Sequence, residues 1–158
     1  MGKLKILVTG AAGFLGAHLC DKLQNLHHKV IGIDNMIGGD LDNLPKNLEF
    51  HKIDCCDFRK LDKITKNIDV VYHCAATAHE GLSVFSPVEN AKNNYLATVS
   101  VITAGINNKV RRIIYCSSMA RYGNQKTPFT EDMRPDPVDP YGISKVAGED
   151  VLKNLCNL

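Results

Sequence analysis

No stretch of this 158-residue sequence approaches the roughly 18 consecutive apolar residues that a membrane-spanning helix requires. Charge of one sign is lacking as well: 19 basic side chains stand against 17 acidic ones, a formal net of +2. So close a balance offers no electrostatic capture of nucleic acid or of an anionic membrane, and neither partner is expected. Internal repeats, low-complexity tracts and domain linkers are also missing. Hydrophobic residues at 44% and charged residues at 23% lie near the soluble globular average, which excludes a disordered tail or a fibre. The length suits one domain. The opening residues Met1-Gly2-Lys3-Leu4-Lys5-Ile6 have Ile where myristoylation needs Ser or Thr, and they carry no signal-peptide cleavage site. The expectation is a soluble, cytoplasmic protein.

Metal-binding patterns are missing too. The six cysteines contain no C-x-x-C pair. Cys20, Cys74, Cys116 and Cys156 each stand alone among apolar neighbours, as buried thiols do, while Cys55 and Cys56 are adjacent. A reducing compartment fits this better than a disulfide framework. None of the six histidines shows ligand spacing, and His27-His28 reads as a helix end in solvent. Asp40-Leu41-Asp42 is followed by Asn43-Leu44-Pro45, without the glycine of a calcium loop. No metal is expected.

What is present is a regular alternation of short apolar runs with longer amphipathic ones. Leu4–Val8, Val30–Ile33, Leu48–Ile53, Val70–Tyr72 and Arg112–Cys116 read as five strands. Between them lie helical stretches at about Phe14–Leu26, Arg59–Lys66 and Pro87–Asn107, and a last one follows at Pro140–Leu155. Strands alternating with helices predict an α/β fold with a doubly wound parallel sheet of Rossmann type. The strand runs look apolar throughout, as in strands buried on both faces. Ligands then belong at the loops beyond the strands' carboxyl ends.

The first of those loops is Thr9-Gly10-Ala11-Ala12-Gly13-Phe14-Leu15-Gly16. Gly10 permits a tight turn, Gly13 lets the backbone approach a pyrophosphate, and Gly16 allows close packing of the helix. The helix N-terminus then offers N–H groups and a favourable dipole to phosphates. Asp34 closes the second strand, 18 residues after Gly16. An acid at this offset hydrogen-bonds ribose hydroxyls and repels a 2′-phosphate, favouring NAD over NADP; an Asp followed by Asn35 is equally a turn former. Tyr141 and Lys145 stand at i and i+4 on one helical face. A phenol of pKa near 10 needs a nearby cation to act as a base, and Lys145 is one turn away, although the pair also suits a solvated surface. Ser117-Ser118 ends the fifth strand, where a hydroxyl either caps a turn or meets a reacting carbinol.

Taken together, T-G-x-x-G-x-x-G, Asp34, His73-Cys74-Ala75-Ala76, Asn94, Ser117-Ser118 and Tyr141-x-x-x-Lys145 resemble, in order, the extended short-chain dehydrogenase/reductases, and within them the NAD-dependent nucleotide-sugar epimerase/dehydratase group. The resemblance implies a cofactor, NAD, and a set of contacts to it. Gly10, Ala12, Gly13, Phe14, Leu15 and Gly16 form the phosphate loop, with Asp34 and Asn35 at the ribose. Asp54 and Cys55 flank the adenine, Ala75 and Ala76 line the ribose and phosphate side, and Asn94 belongs to the central cofactor and relay region. Ser117, Tyr141 and Lys145 complete the set. Ser118, four residues before Tyr122-Gly123, matches the catalytic hydroxyl, beside Tyr141 and Lys145.

Three departures qualify the likeness. Met119 and Ala120 stand where sugar dehydratases carry an acid and a base, so dehydration is not expected. Ala97 replaces a common glycine. The family runs to roughly twice this length, with a second, substrate-holding region. Residues 1–158 are therefore expected to be an incomplete NAD-binding domain, stopping after the fifth strand and its helix. The implied function is an NAD-dependent nucleotide-sugar 4-epimerase, with a 4-keto-sugar reductase or dehydrogenase and a non-catalytic NAD-binding module as alternatives. A homodimer is expected through the two long helices, using Val99, Ile102 and Ile106 with Val146 and Val151.

Overall fold

Five short runs rich in aliphatic residues pair into one parallel sheet: β1 (Lys5–Thr9), β2 (Lys29–Asp34), β3 (Glu49–Lys52), β4 (Val70–His73) and β5 (Arg112–Tyr115). The computed structural model describes residues 2–156. They divide into two compact units. One runs from the N-terminal end through Ala76 and takes in Ser100–Cys116; the other comprises Thr77–Val99 and the residues from Ser117 onward.

The first unit holds the sheet, in the order β3-β2-β1-β4-β5. This is the strand order of a Rossmann fold up to its fifth strand. Central β1 sets Leu7 beside Ile31 and Val71, all three excluded from solvent. Helix α1 (Phe14–Asn25) buries Ala17, Cys20 and Leu23, and Cys20 and Leu23 join the core built on Ile6, Val8 and Val30. Helix α2 (Phe58–Ile64) buries Leu61 and is capped by the Asp57 carboxylate, which accepts the Lys60 N–H. The expectation of apolar strands throughout fails at β3, where Glu49, His51 and Lys52 are exposed. An outer strand meets solvent and tolerates such residues, which also blunt a pairing edge.

The second unit is built on helices: α3 (Glu80–Phe85), α4 (Pro87–Asn90), a π-helical segment Ala91–Leu96, the start of α5 (Ala97–Asn107), and α6 (Pro140–Leu155). Residues 87–107 are helical throughout, as periodicity predicts, but the π segment widens the middle, which periodicity does not reveal. The six residues of α3 are too few to show a period, and that helix is absent from the sequence reading. Ile102, expected at an interface, is buried, whereas Ile106 is exposed. Among the described residues, no helix is long and apolar enough to cross a membrane.

The cysteines differ from their expected isolation. Cys20 is buried, but Cys156 is exposed, and Cys116 and Cys74 meet with their sulfurs 3.6 Å apart. They stand on adjacent strand ends, a neighbourhood set by sheet register and invisible in the chain.

The β1–α1 turn is made by two glycines for different reasons. Gly10 sits at φ +69°, where side chains are strained, and a β-carbon there would come within 2.7 Å of the Ala75 nitrogen. Gly16 has ordinary backbone angles, but its β-carbon would fall 2.0 Å from the Gly10 carbonyl oxygen. At Gly13 a β-carbon meets only that same oxygen, at 3.4 Å. Gly16→Ala should therefore cost about 1–3 kcal/mol of stability as overpacking, and Gly13→Ala at most about 1 kcal/mol. Urea unfolding of the two variants checks this; equal midpoints would show that the turn is not closed by Gly16.

Candidate active site

The first unit presents a cradle at the carboxyl ends of its strands. Thr9 Oγ1 lies 2.7 Å from His73 Nδ1 and accepts the Ala75 N–H at 3.1 Å, tying the end of β1 to the segment after β4. The His73 ring stacks on Tyr115, which extends the tie to β5. Within the loop, the Gly13 N–H returns to the Gly10 carbonyl, and the Ala12 N–H donates to Asp34 Oδ2 at 3.1 Å. Asp34 Oδ1 accepts the Met36 N–H at 2.8 Å, so Asp34 is a turn former and a brace for the glycine loop at once. A carboxylate has about four lone-pair sites, and these two bonds leave capacity for hydroxyl donors. Asn35 Nδ2 contacts Asp54 Oδ2 at 3.4 Å, and Asp54 Oδ1 accepts the Cys56 N–H. Cys55 is buried, which pushes its thiol up to about 12.

The residues present fit a dinucleotide pyrophosphate. Gly13 caps α1 without a side-chain bond, so no protein group there covers the helix's first-turn N–H groups. Packing inside the protein explains Gly10 and Gly16 but does not require glycine at position 13, whose open backbone suits close approach of a phosphate. The side chains of Phe14 and Leu15 point outward, Phe14 being 82% exposed with its ring edge-on to His18. Ala12 is fully buried, and Ala75 and Ala76 are half-buried.

The second unit holds Asn94, Ser117, Ser118, Tyr141 and Lys145. Tyr141 and Lys145 are buried on α6, with Lys145 Nζ 5.7 Å from the Tyr141 ring centroid. Ser118 caps the 3₁₀ turn Met119–Tyr122 by accepting the Ala120 N–H at 3.1 Å, and its side chain also hydrogen-bonds Tyr141. Burial raises the Tyr141 phenol above its ordinary value, the Ser118 bond pulls it down, and the Glu80 and Asp139 charges push it further up. The net direction is upward. The lowering expected of a neighbouring cation does not prevail here, because burial outweighs it. Ser117 is engaged elsewhere: its hydroxyl donates to Glu149, which Arg121 approaches at 3.0 Å.

Apart from Asn94, sequence reasoning missed the residues that hold Tyr141 in place. Asp139 caps α6 through the Gly142 N–H. Ser83 Oγ accepts the Tyr141 N–H at 3.2 Å and donates to the Glu80 carbonyl. Asn90 donates to the Pro140 carbonyl at 3.0 Å, and Asn94 Nδ2 donates to Asn90 Oδ1 at 2.6 Å. Asn94 also exchanges two bonds with the backbone of Thr77. Only Asp139-Pro140, a capping residue before a helix-starting proline, carried a signal in the chain.

The profile of the NAD dependent epimerase/dehydratase family matches residues 6–157. The chain belongs to that family. A putative UDP-glucose 4-epimerase of Methanocaldococcus jannaschii is 36% identical over 151 residues, covering 94% of this chain and 50% of that protein. Among solved structures, a Thermotoga maritima UDP-glucose 4-epimerase with UDP-glucose is 33% identical with a TM-score of 0.93, covering 98% of this chain and 52% of the other. A Thermus thermophilus UDP-glucose 4-epimerase in complex with NAD is 30% identical, also at 0.93, covering 98% and 51%. The chain spans about half the length of the relatives it matches.

Ser83 is the one side-chain partner of a buried first-turn N–H at Tyr141. Ser83→Ala should strand that donor and cost about 1–3 kcal/mol. Denaturant unfolding reads the loss, and a cost below about 0.5 kcal/mol would mean that another acceptor replaces Ser83.

Proposed function

We propose that this chain is the N-terminal, cofactor-binding portion of an NAD-dependent nucleotide-sugar 4-epimerase. The observation that carries the reading is Ser118 hydrogen-bonded to Tyr141, with the Lys145 ammonium over the same ring. Relatives named as UDP-glucose 4-epimerases, about twice as long, support the substrate class. Met119 and Ala120 have no group that transfers protons, which favours epimerisation over dehydration.

In this reading the glycine loop holds the pyrophosphate of NAD, Asp34 and Asn35 meet the adenosine ribose, and Asp54 and Cys55 border the adenine. Ala75, Ala76 and Asn94 belong to the remaining cofactor contacts, with Ser117 contributing its backbone because its hydroxyl is taken by Glu149. Bound NAD supplies a hydride acceptor that later returns the hydride. Tyr141, as phenolate, removes the proton from the sugar's 4-hydroxyl, with Ser118 bridging the transfer. Lys145 offsets the desolvation of that phenolate and holds the nicotinamide ribose. Tyr141 then returns the proton to the oxygen once the keto sugar has presented its other face. The full-length protein is proposed to pair as a homodimer through the helical run 87–107 and α6, with exposed Leu96 and Ile106 and half-buried Val99, Val146 and Val151 at the contact.

Two outcomes test this reading. In the longer protein that carries these residues, Tyr141→Phe should lower epimerase turnover by about 10²–10⁴ while leaving NAD affinity little changed; activity within a few-fold of the parent removes Tyr141 from the mechanism. Net consumption of NAD during turnover would identify a reductase or dehydrogenase instead. Calorimetric titration should show NAD bound more tightly than NADP, with Asp34→Ala narrowing the difference. Tighter binding of NADP by the parent would overturn the role of Asp34.

A further inference from the structure

Among the described residues, two cysteine side chains outside the proposed site meet. Cys74 directly follows β4, and Cys116 directly follows β5. The parallel register runs from Val70 beside Arg112 to His73 beside Tyr115, and the Cys116 N–H continues it by donating to the His73 carbonyl at 3.1 Å. Cys74 and Cys116 therefore occupy the next rung. Their side chains turn to the same face, where the Cys116 thiol donates to Cys74 Sγ at 3.6 Å. Neighbouring strands lie about 4.8 Å apart, inside the span of about 4.4–6.8 Å between α-carbons that a disulfide bridges. The sulfurs need to approach by only about 1.5 Å to reach bonding distance.

Both ends of the pair are held by the sheet. Beyond Cys74, the Ala75 N–H is held by Thr9, and Gly10 packs against Ala75 without room for a β-carbon. Cys116 is held in turn by its N–H on the His73 carbonyl, so both backbones are fixed at the spacing that faces the two sulfurs. Both residues are half-buried, which admits a small oxidant while screening larger ones. Cys20 and Cys55, by contrast, are buried, with thiols pushed up to about 12, and present little thiolate for oxidation.

We propose that Cys74 and Cys116 form a redox modification site, at which a hydroperoxide converts the two thiols into an intrachain disulfide. With hydrogen peroxide, one thiolate attacks an oxygen, the O–O bond breaks, and a sulfenic acid and one water result. The second thiolate attacks that sulfur, the S–O bond breaks, and a second water leaves. Two electrons pass from the sulfurs to the peroxide, and two thiols plus one peroxide give one disulfide and two waters. The bridge joins the residues immediately before Ala75-Ala76 and Ser117-Ser118, so its formation bears on segments named in the proposed site without depending on that proposal.

The test uses the folded chain treated with hydrogen peroxide, quenched in acid, alkylated and digested for peptide mass mapping. The expected result is a single reducible cross-link between the peptides containing Cys74 and Cys116, lighter by two hydrogens than the reduced pair. Cys74→Ser and Cys116→Ser should each abolish it. Cys74 and Cys116 alkylated as fully after peroxide as before it would overturn the proposal. So would a cross-link that joins either residue to another cysteine instead, or one that persists in either serine variant.

Discussion

Gly16 has no β-carbon, and the turn from β1 into α1 depends on that absence. The helix comes so close to the Gly10 carbonyl that any side chain would collide with it. Because the turn is tight, the start of α1 lies at the carboxyl edge of the central strand, where Asp34 on β2 can brace the Ala12 N–H. The same closeness presses Gly10 onto Ala75, linking β1 to the segment after β4. The open helix start at this edge thus follows from steric exclusion first, and its dipole adds an electrostatic preference for anions second.

The second unit solves a different problem: it holds a phenol away from water at the start of a helix. First-turn N–H groups have no intrahelical acceptors, so burying Tyr141 requires acceptors from elsewhere. Asp139 and Ser83 supply them, and Asn90 with Asn94 secures the preceding carbonyl. Burial raises the phenol's pKa, while the Ser118 bond works in the opposite sense. Around Tyr141 the packing thus excludes water while Ser118 keeps one hydrogen bond to the phenol.

Much of the fold was legible because it rests on local rules. The five strands and the α1, α2 and α6 helices follow from apolar periodicity and from glycine and proline punctuation, within a residue or two at most ends. The glycine spacing located the tight β1–α1 turn for the same reason. What escaped was non-local or too short. The polarity of β3 makes sense only once β3 is known to be an outer strand. The π segment at Ala91–Leu96 leaves no periodic trace, yet it contains Asn94. Ser83 and Asn90 look like ordinary polar residues until α6 is packed against them.

The sequence by itself determined which residue types stand at each strand end, because a left-handed turn, a close helix approach and a Tyr–Lys pair one turn apart are all local demands. Only the tertiary structure decided how those residues are employed. It bonds Ser118 to Tyr141 and commits the neighbouring Ser117 to Glu149, although the two serines are adjacent and chemically identical. It brings together Cys74 and Cys116, 42 residues apart in the chain. Both outcomes depend on which elements lie side by side within each unit, and that is set by packing between distant segments rather than by any local stretch.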